Sequence, residues 1–195
     1  MKIGDFDIET DERVYVPSDD TFLLAENLEI DSSDSVLEIG TGTGLVALYA
    51  YKLSKDVTVS DINYDALELA ESNFKCNGAD IDLVFGNLFE PFKDRKFDVI
   101  LFNTPYLPTI DEDVLEGDLN YAFDGGEDGR KVIDLFLDEV KNHLNSNGKV
   151  QMIQSSLSDN EKTLKKLDEN GFISKISKSE KFFFEEIVLI NAYLI

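Results

Sequence analysis

The sequence has one cysteine, Cys76, and one histidine, His143, in 195 residues. A lone cysteine cannot form an internal disulfide, and neither residue has a neighbour at metal-ligand spacing, so redox chemistry and a structural zinc site are not expected. A Ser-His-Asp or Cys-His mechanism would have to use His143, which lies near the end of a predicted helix, where its ring suits the unpaired carbonyls. We therefore expect no metal and a reaction without a catalytic histidine.

Positive charge is also scarce. The chain carries 18 lysine and arginine residues against 40 acidic residues, a formal net charge of −22. Nucleic-acid binding depends on clustered lysine and arginine, so the composition disfavours direct contact with nucleic acid and favours a basic or neutral substrate. No apolar run is nearly as long as a membrane helix, which needs about eighteen residues. The N-terminal segment is acidic and does not have the basic and then apolar pattern of a signal sequence. These features predict a cytoplasmic protein without a membrane segment.

From residue 35 onward, short β-type runs alternate with helical runs, which is typical of a parallel sheet covered by helices on both faces. The predicted strands are residues 35–39, 57–61, 81–85, 97–102, 148–154, 172–177 and 184–194, the last two joined by a charged turn. The predicted helices are residues 45–53, 65–77, 129–144 and 158–170, the last with Ser158 as its N-cap. We expect one α/β domain over residues 1–195, with residues 1–30 packing near the ligand site. Seven strands ending in a hairpin match the methyltransferase variant of the doubly wound fold.

A glycine-rich turn follows the first predicted strand. Its pattern E-x-G-x-G-x-G comprises Glu38, Gly40, Gly42 and Gly44. Glycines let the backbone turn sharply and approach a ligand closely, and this spacing differs from the G-x-G-x-x-G that seats a pyrophosphate. S-adenosylmethionine has an amine and a sulfonium but no phosphate, so an acidic residue beside the turn predicts this cofactor.

Polar residues also follow the second and third predicted strands. Asp61 ends the second strand, where an acid accepts hydrogen bonds from ribose hydroxyls, although NAD would require the same acid and a helix-capping aspartate would look alike. Asn87 and Leu88 follow the third strand and are placed to hold an adenine, with a polar amide and an apolar wall. A simple turn is the alternative interpretation for that pair.

The sequence N-T-P-Y follows the fourth predicted strand, at the edge where open α/β sheets bind ligands. An amide or base nitrogen is a poor nucleophile, so a site must orient it by accepting its hydrogens. The side-chain oxygen of Asn103 and the carbonyl of Thr104 are two such acceptors. Pro105 restricts residue 104 to an extended conformation, and Tyr106 offers a ring on which a planar acceptor can stack. The motif predicts methylation of a planar amino nitrogen.

These segments resemble the HemK-type glutamine methyltransferases, in particular the short archaeal and eukaryotic branch that acts on peptide-chain release factors. The resemblance covers nearly the whole chain and is carried by residues 14–24 (VYVPSDDTFLL), the glycine turn, N-T-P-Y-L-P and residues 125–130 (GGEDGR). It implies methylation of the glutamine side-chain nitrogen in the Gly-Gly-Gln loop of a release factor. The residues that it implies contact cofactor or acceptor are Thr21, Glu38, Gly40, Asp61, Asn87, Leu88 and Asn103.

The family analogy gives a strand order of 3-2-1-4-5-7-6, which makes residues 81–85 an exposed edge strand. Residues 1–34 are too few for the helical substrate-recognition domain of the bacterial enzymes. The resemblance implies a small zinc-binding activator subunit instead, and the edge strand, with apolar residues at alternate positions, suits its docking. The family motif is usually N-P-P-Y, so Thr104 departs from it, and Asn87 stands where relatives commonly have aspartate.

Three other interpretations remain open. An adenine-N6 methyltransferase acting on DNA, tRNA or rRNA uses a similar loop, although such an enzyme should carry a basic cleft or a recognition domain. A lysine acceptor would have to lose a proton first and would not stack flat on Tyr106. A non-catalytic binding module predicts a broken glycine turn or the loss of Asn103, and both are intact.

Overall fold

The computed structural model describes residues 1–109 and 118–195 of the chain. A two-stranded hairpin, β1 (Lys2–Ile3) and β2 (Phe6–Asp7), precedes a seven-stranded sheet. The strands of that sheet are β3 (Ser35–Ile39), β4 (Asp56–Asp61), β5 (Asp82–Phe85), β6 (Phe97–Asn103), β7 (Leu144–Ser155), β8 (Phe172–Lys181) and β9 (Glu186–Leu194). The α-helices are α1 (Asp19–Ala25), α2 (Leu45–Leu53), α3 (Tyr64–Cys76), α4 (Lys131–Glu139) and α5 (Asn160–Glu169).

The sheet order is β5-β4-β3-β6-β7-β9-β8, or 3-2-1-4-5-7-6 when the strands of this sheet are numbered along the chain. Neighbouring strands from β5 to β7 pair in parallel, and β9 is antiparallel to both β7 and β8. The chain moves outward from β3 in one direction and then returns to place β6 on its other side. This reversal opens a crevice at the carboxyl ends of β3 and β6.

The core consists of two apolar layers, one on each face of the sheet. Because successive residues of a strand point to opposite faces, Val99 and Leu101 of β6 pack in one layer, while Ile100 and Phe102 pack in the other. The first layer is completed by α1, α2 and α3, and the second by α4 and α5. Central strands buried on both faces require the nearly continuous apolar runs seen in the sequence. Within the described parts of the chain, no helix combines the length and apolarity needed to cross a membrane.

Two helix predictions need correction. The helix expected over residues 129–144 is α4, followed by a 3-10 turn over Val140–His143, and β7 already begins at Leu144. The helix expected to begin at Ser158 begins at Asn160 with Asp159 as its N-cap, whose side chain accepts a hydrogen bond from the Lys162 backbone. Ser158 instead ends the preceding 3-10 turn, and its hydroxyl donates to the carbonyl of Tyr106 at 2.7 Å.

The connection between the last two strands is also different from the prediction. The charged residues expected to form the turn belong to the end of β8, where Lys181 pairs with Glu186 of β9. The turn itself is Phe182–Glu185, closed by a 2.8 Å hydrogen bond from the Phe182 amide to the Glu185 carbonyl. Pairing of the charged segment with β9 therefore moves the turn into three consecutive phenylalanines.

Candidate active site

A cavity of about 200 Å³ opens at the carboxyl ends of β3, β4 and β6, beside the reversal in sheet order. Residues from the N-terminal segment and from α1 close one side of it. The residues predicted from the sequence that line this cavity are Thr21, Glu38, Gly40, Gly42, Asp61, Asn87, Leu88, Asn103, Thr104, Pro105 and Tyr106. The fold thus brings together segments that lie far apart in the chain.

Gly44 is the predicted residue that does not line the cavity. It precedes α2 as its N-cap with a φ of 81°, and a Cβ added there would lie 2.5 Å from Cε1 of Phe74. Its lack of a side chain therefore permits the close packing of α2 on α3. In this structure Gly44 supports the glycine turn from behind, and its predicted contact with the cofactor stays a prediction.

Asp61 is fixed against the glycine turn at the end of β4. The backbone amide of Gly42 donates to Asp61 Oδ2 at 3.0 Å, and the amide of Asn63 donates to Oδ1 at 2.9 Å. Gly42 has a φ of 54°, a left-handed conformation that non-glycine residues adopt only at a cost in free energy. Burial raises the pKa of Asp61, while these backbone hydrogen bonds oppose the rise. The turn and the acid thus form one preorganised unit.

The cavity is acidic. Asp20, Glu38 and Asp61 line it, and among the described residues no lysine, arginine or histidine does so. Burial raises the pKa of Glu38 to about 8, with a further contribution from the nearby Asp61, and a hydrogen bond from the Thr41 hydroxyl opposes the shift. Carboxyl groups without basic neighbours suit a cationic ligand and disfavour a phosphate-bearing one.

The segment after β5 forms another wall. Leu88 has a φ of 44°, which is uncommon for a non-glycine residue, and its side chain is partly buried against the second core layer. Gly86 lies two residues before Leu88, and a Cβ at Gly86 would lie 2.2 Å from Cγ of Pro91. The backbone of residues 86–88 is therefore held in a constrained conformation beside the cavity. Such constraints occur often at ligand sites.

Asn103, the last residue of β6, has a defined side-chain orientation. Its Nδ2 donates to Oδ2 of Asp20 at 3.0 Å. The nitrogen rather than the oxygen of the amide therefore faces Asp20, whose carboxylate oxygen accepts the hydrogen bond. The opposite atom, Oδ1, is buried and has no hydrogen-bond partner among the described residues. A buried acceptor without a partner is unfavourable, so Oδ1 is ready to accept a hydrogen from a ligand.

Asp20 also holds two tyrosines. The Tyr15 hydroxyl lies 3.0 Å from each carboxylate oxygen, and the Tyr106 hydroxyl donates to Oδ2 at 3.1 Å. The backbone amide of Thr21 donates to Oδ1 at 2.6 Å. Burial and the Asp20 charge raise the pKa of both tyrosines, so their hydroxyls remain protonated donors at neutral pH. Asp20 is thereby the acceptor on which this end of the cavity is assembled.

The N-T-P-Y loop is attached to the strand beside it. The Thr104 hydroxyl donates to the carbonyl of Ile153 in β7 at 2.7 Å. Further along, the Gly125 amide donates to the carbonyl of Leu107 at 3.0 Å, and Ser158 donates to that of Tyr106. A hydrogen bond to the sheet thus holds Thr104, the residue that departs from the usual N-P-P-Y motif.

Comparison with known proteins bears on this arrangement. The family model of the methyltransferase small domain matches residues 17–116. A putative protein N5-glutamine methyltransferase of Methanocaldococcus jannaschii is 45% identical over 181 residues, which cover 92% of this chain and 91% of that protein. The chain belongs to the HemK family of methyltransferases.

Two further relatives of this HemK-family chain are similar to it, one in sequence and one in structure. The release factor glutamine methyltransferase of Geobacter sulfurreducens is 31% identical, with 82% of this chain matching only 59% of that enzyme's length. The solved structure of the E. cuniculi Mtq2-Trm112 complex, responsible for methylation of the eRF1 translation termination factor, has a TM-score of 0.74 and 27% identity. The structural match covers 94% of this chain and 99% of the matched chain.

The G-G-E-D-G-R segment of this HemK-family chain lies behind the N-T-P-Y loop. A Cβ at Gly125 would lie 2.8 Å from the carbonyls of Pro105 and Leu107, and one at Gly129 would lie 2.5 Å from that of Tyr106. The buried Arg130 guanidinium donates to the carbonyls of Ser158 and Asp159, which fixes the segment to the start of α5. The glycines therefore allow a backbone-to-backbone contact that side chains would prevent.

Sequence reasoning missed Asp20 and Tyr15. Both belong to the family-specific segment 14–24, in which only Thr21 was assigned to the site. The available signal was the acidic pair at the start of α1, which looks like ordinary helix N-terminal charge.

His143 is buried against Phe89, with ring centroids 4.4 Å apart, and does not line the cavity.

Proposed function

We propose that this chain transfers a methyl group from S-adenosylmethionine to the side-chain amide nitrogen of a glutamine in the Gly-Gly-Gln loop of a peptide-chain release factor. The observation that carries the proposal is the buried, unpartnered Oδ1 of Asn103, oriented by Asp20. The names of the relatives support the choice of acceptor, since they include protein and release factor glutamine methyltransferases.

The donor set of the cavity fits this cofactor. When bound, S-adenosylmethionine supplies a methyl group on a sulfonium, which is open to attack by a weak nucleophile. Asp61 would accept hydrogen bonds from the ribose hydroxyls, and Glu38 would lie near the cationic end of the ligand. Gly40 and Gly42, both with positive φ, would admit the ligand close to the backbone. The remaining contacts that we propose are from Thr21, Asn87 and Leu88.

The acceptor amide would be held by two oxygens and a ring. Asn103 Oδ1 and the Thr104 carbonyl would accept the two hydrogens of the glutamine amide, which directs its nitrogen toward the cofactor methyl. Pro105 keeps the Thr104 backbone extended, and Tyr106 would lie along the planar amide. The nitrogen can release its proton after the attack, so the scheme needs no histidine in the cavity.

The acceptor can be identified directly. We would incubate the protein with methyl-labelled S-adenosylmethionine and either release factor or total RNA. Label on the release factor, lost when its acceptor glutamine is replaced by glutamate, is expected. Label on RNA would instead support the adenine-N6 alternative and overturn the proposal. Label on neither acceptor, with or without a partner subunit, would also overturn it.

A partner subunit is part of the proposal. The exposed edge strand β5 ends at Phe85, whose ring lies 6.2 Å from that of the exposed Tyr64. We propose that a small zinc-binding activator docks there by adding a strand, as unpaired edges allow. The Mtq2-Trm112 complex is a two-protein assembly and supports a small partner. Absence of co-elution from size exclusion after mixing the two purified proteins would contradict the heterodimer.

The organisation and the location of the protein complete this proposal. Residues 1–195 would act as one domain in the cytoplasm, with residues 1–30 packed near the cofactor site. Contacts across the chain support the packing, because Glu9 and Asn73 exchange hydrogen bonds between the N-terminal segment and α3. Tyr15 and Asp20 bring the same segment to the cavity.

A further inference from the structure

The turn between β8 and β9 exposes three consecutive phenylalanines, Phe182, Phe183 and Phe184, here called the aromatic tip. Phe183 is 92% exposed and Phe184 is 85% exposed. Their rings contact each other edge to face, with centroids 4.7 Å apart. Isolated apolar side chains are common on protein surfaces, but a contiguous aromatic cluster indicates an interaction site.

The hairpin does not need these side chains to close. The Phe182 amide donates to the Glu185 carbonyl, so Phe183 and Phe184 occupy the two central positions of the turn. Such positions usually hold glycine, asparagine, aspartate or proline, which favour turn conformations. Polar residues would therefore complete the turn equally well. The aromatic rings at this place are not explained by folding.

The base of the turn is fixed to the sheet. Glu185 accepts a hydrogen bond from the Ser155 hydroxyl at 2.6 Å, and the Glu186 amide donates to the Ser156 hydroxyl at 3.0 Å. Both serines come from the end of β7 and the short 3-10 turn that follows it. The tip is thus held in a defined direction, although its rings make few contacts.

Sheet topology places the aromatic tip at the same end as the active site. Because β9 is antiparallel to both β7 and β8, β8 runs in the same direction as the parallel strands. Its carboxyl end, where the tip begins, therefore lies with the carboxyl ends that form the cavity.

A groove of about 140 Å³ joins the aromatic tip to the main cavity. Phe182 and Glu185 line it at the tip, and Tyr15, Asp20 and Tyr106 line both this groove and the main cavity. Asp19 adds another exposed carboxylate, and among the described residues no lysine or arginine lines the groove. A protein segment that enters the cavity from this side meets an aromatic surface and then an acidic one.

We propose that the aromatic tip docks the methyl-acceptor protein itself, on an apolar depression flanked by lysine or arginine side chains, while the acceptor loop lies along the groove. This inference rests on the proposed function and adds to it the surface that recognises the folded acceptor. The continuity of the groove with the cavity and the net charge of −22 favour this occupant over a second copy of the same acidic chain.

The test compares two variants. The double variant Phe183→Ser/Phe184→Ser removes the exposed rings, and Ile173→Ser removes a 63% exposed apolar side chain near the opposite end of β8 as a matched control. Kinetics with full-length release factor, in the presence of any required activator, give kcat and KM, and calorimetry gives the affinity for S-adenosylhomocysteine. We expect the double variant to raise KM about tenfold or more, with kcat and cofactor affinity within about twofold of wild type. The control should match wild type, and thermal unfolding should show that all three proteins are folded.

The outcomes distinguish the possible binding partners of the aromatic tip. An unchanged KM in the double variant, or an equal change in Ile173→Ser, would overturn the docking proposal while leaving the proposed function intact. A wild-type dimer that becomes a monomer in the double variant would assign the tip to self-association instead, and loss of activator co-elution would assign it to the activator. A wild-type enzyme that does not label release factor overturns the proposed function, and the docking proposal with it.

Discussion

The carboxylate of Asp20 lies 3.0 Å from Nδ2 of Asn103, although the two residues are 83 positions apart in the sequence. This contact determines which atom of the Asn103 amide is left for a substrate. Because Asp20 also accepts hydrogen bonds from Tyr15 and Tyr106, a single carboxylate orients three side chains at this end of the cavity.

Replacement of Asn103 should separate binding from chemistry. In the proposed reaction Asn103→Ala would remove the oxygen that orients the acceptor nitrogen, so we expect kcat to fall by at least about a hundredfold. The affinity for S-adenosylhomocysteine should stay within about threefold of wild type, as measured by calorimetry. A parallel loss of cofactor affinity would show that Asn103 acts on the cofactor instead.

Replacement of Asp20 by asparagine tests its positioning role. An amide at this position can donate as well as accept, so Asn103 no longer has to present its oxygen to the acceptor. We expect Asp20→Asn to lower kcat by about tenfold or more, with a smaller effect on cofactor affinity. Tyr15→Phe is the matched control, because it removes a donor to Asp20 and leaves the contact with Asn103. If both variants lower kcat equally, the orientation of Asn103 does not depend on the Asp20 charge.

Glu38 should affect the pH dependence of stability. Its pKa is raised from 4.5 to about 8 in the folded chain, chiefly by burial, so the folded state holds this proton more tightly than the unfolded state. The resulting contribution to the free energy of unfolding is complete below the unfolded pKa and is lost as the pH rises toward about 8. We expect the Tm of the ligand-free protein to fall more steeply over this range in wild type than in Glu38→Gln.

The difference between the two Tm profiles is the quantity to compare, because every other acid, including the neighbouring Asp61, titrates in both proteins. Parallel profiles would show that folding does not raise the pKa of Glu38. The measurement requires no cofactor, so it is independent of the proposed reaction.

The contact between Gly129 and the N-T-P-Y loop can be tested with two glycine variants. Gly129 and Gly78 both have a left-handed φ, at 71° and 65°, so alanine at either position should cost about 1 kcal/mol of backbone strain. A Cβ at Gly129 would lie 2.5 Å from the Tyr106 carbonyl, whereas one at Gly78 has nothing within 4 Å. We expect only Gly129→Ala to reduce turnover, by about tenfold or more, because it displaces the N-T-P-Y loop. Equal turnover in the two variants, at similar Tm, would contradict this role.

The grouping of residues around the glycine turn could be predicted from sequence because its determinants are local. Glu38 is near the end of β3, Gly40 and Gly42 directly follow that strand, and Asp61 ends β4. Strand identity alone therefore places them at the carboxyl ends of the sheet strands. The same reasoning predicted that Asn103 lies at the carboxyl ends of the strands. Gly44 shows the limit of such reasoning, because its neighbour Phe74 belongs to α3, and only packing reveals the contact.

Element boundaries were less well predicted where tertiary contacts compete with local preference. Ser158 looked like a helix cap, but its hydroxyl donates to Tyr106 and the cap is Asp159. The charged residues before Phe182 looked like a turn, but β9 supplies backbone partners that extend β8 through Lys181. In both cases a partner from another part of the chain outweighed a local signal.

The sequence by itself determined the alternating strands and helices, the glycine turn and the position of Asn103 after a buried strand, because these depend on periodicity and on neighbours in the chain. Only the tertiary structure decided that Asp20 orients Asn103, that the G-G-E-D-G-R segment backs the N-T-P-Y loop and that the aromatic tip lies at the end of the sheet that holds the cavity. Those relationships join residues from separate elements, and their geometry is set by how the helices and hairpins pack on the sheet rather than by any local pattern.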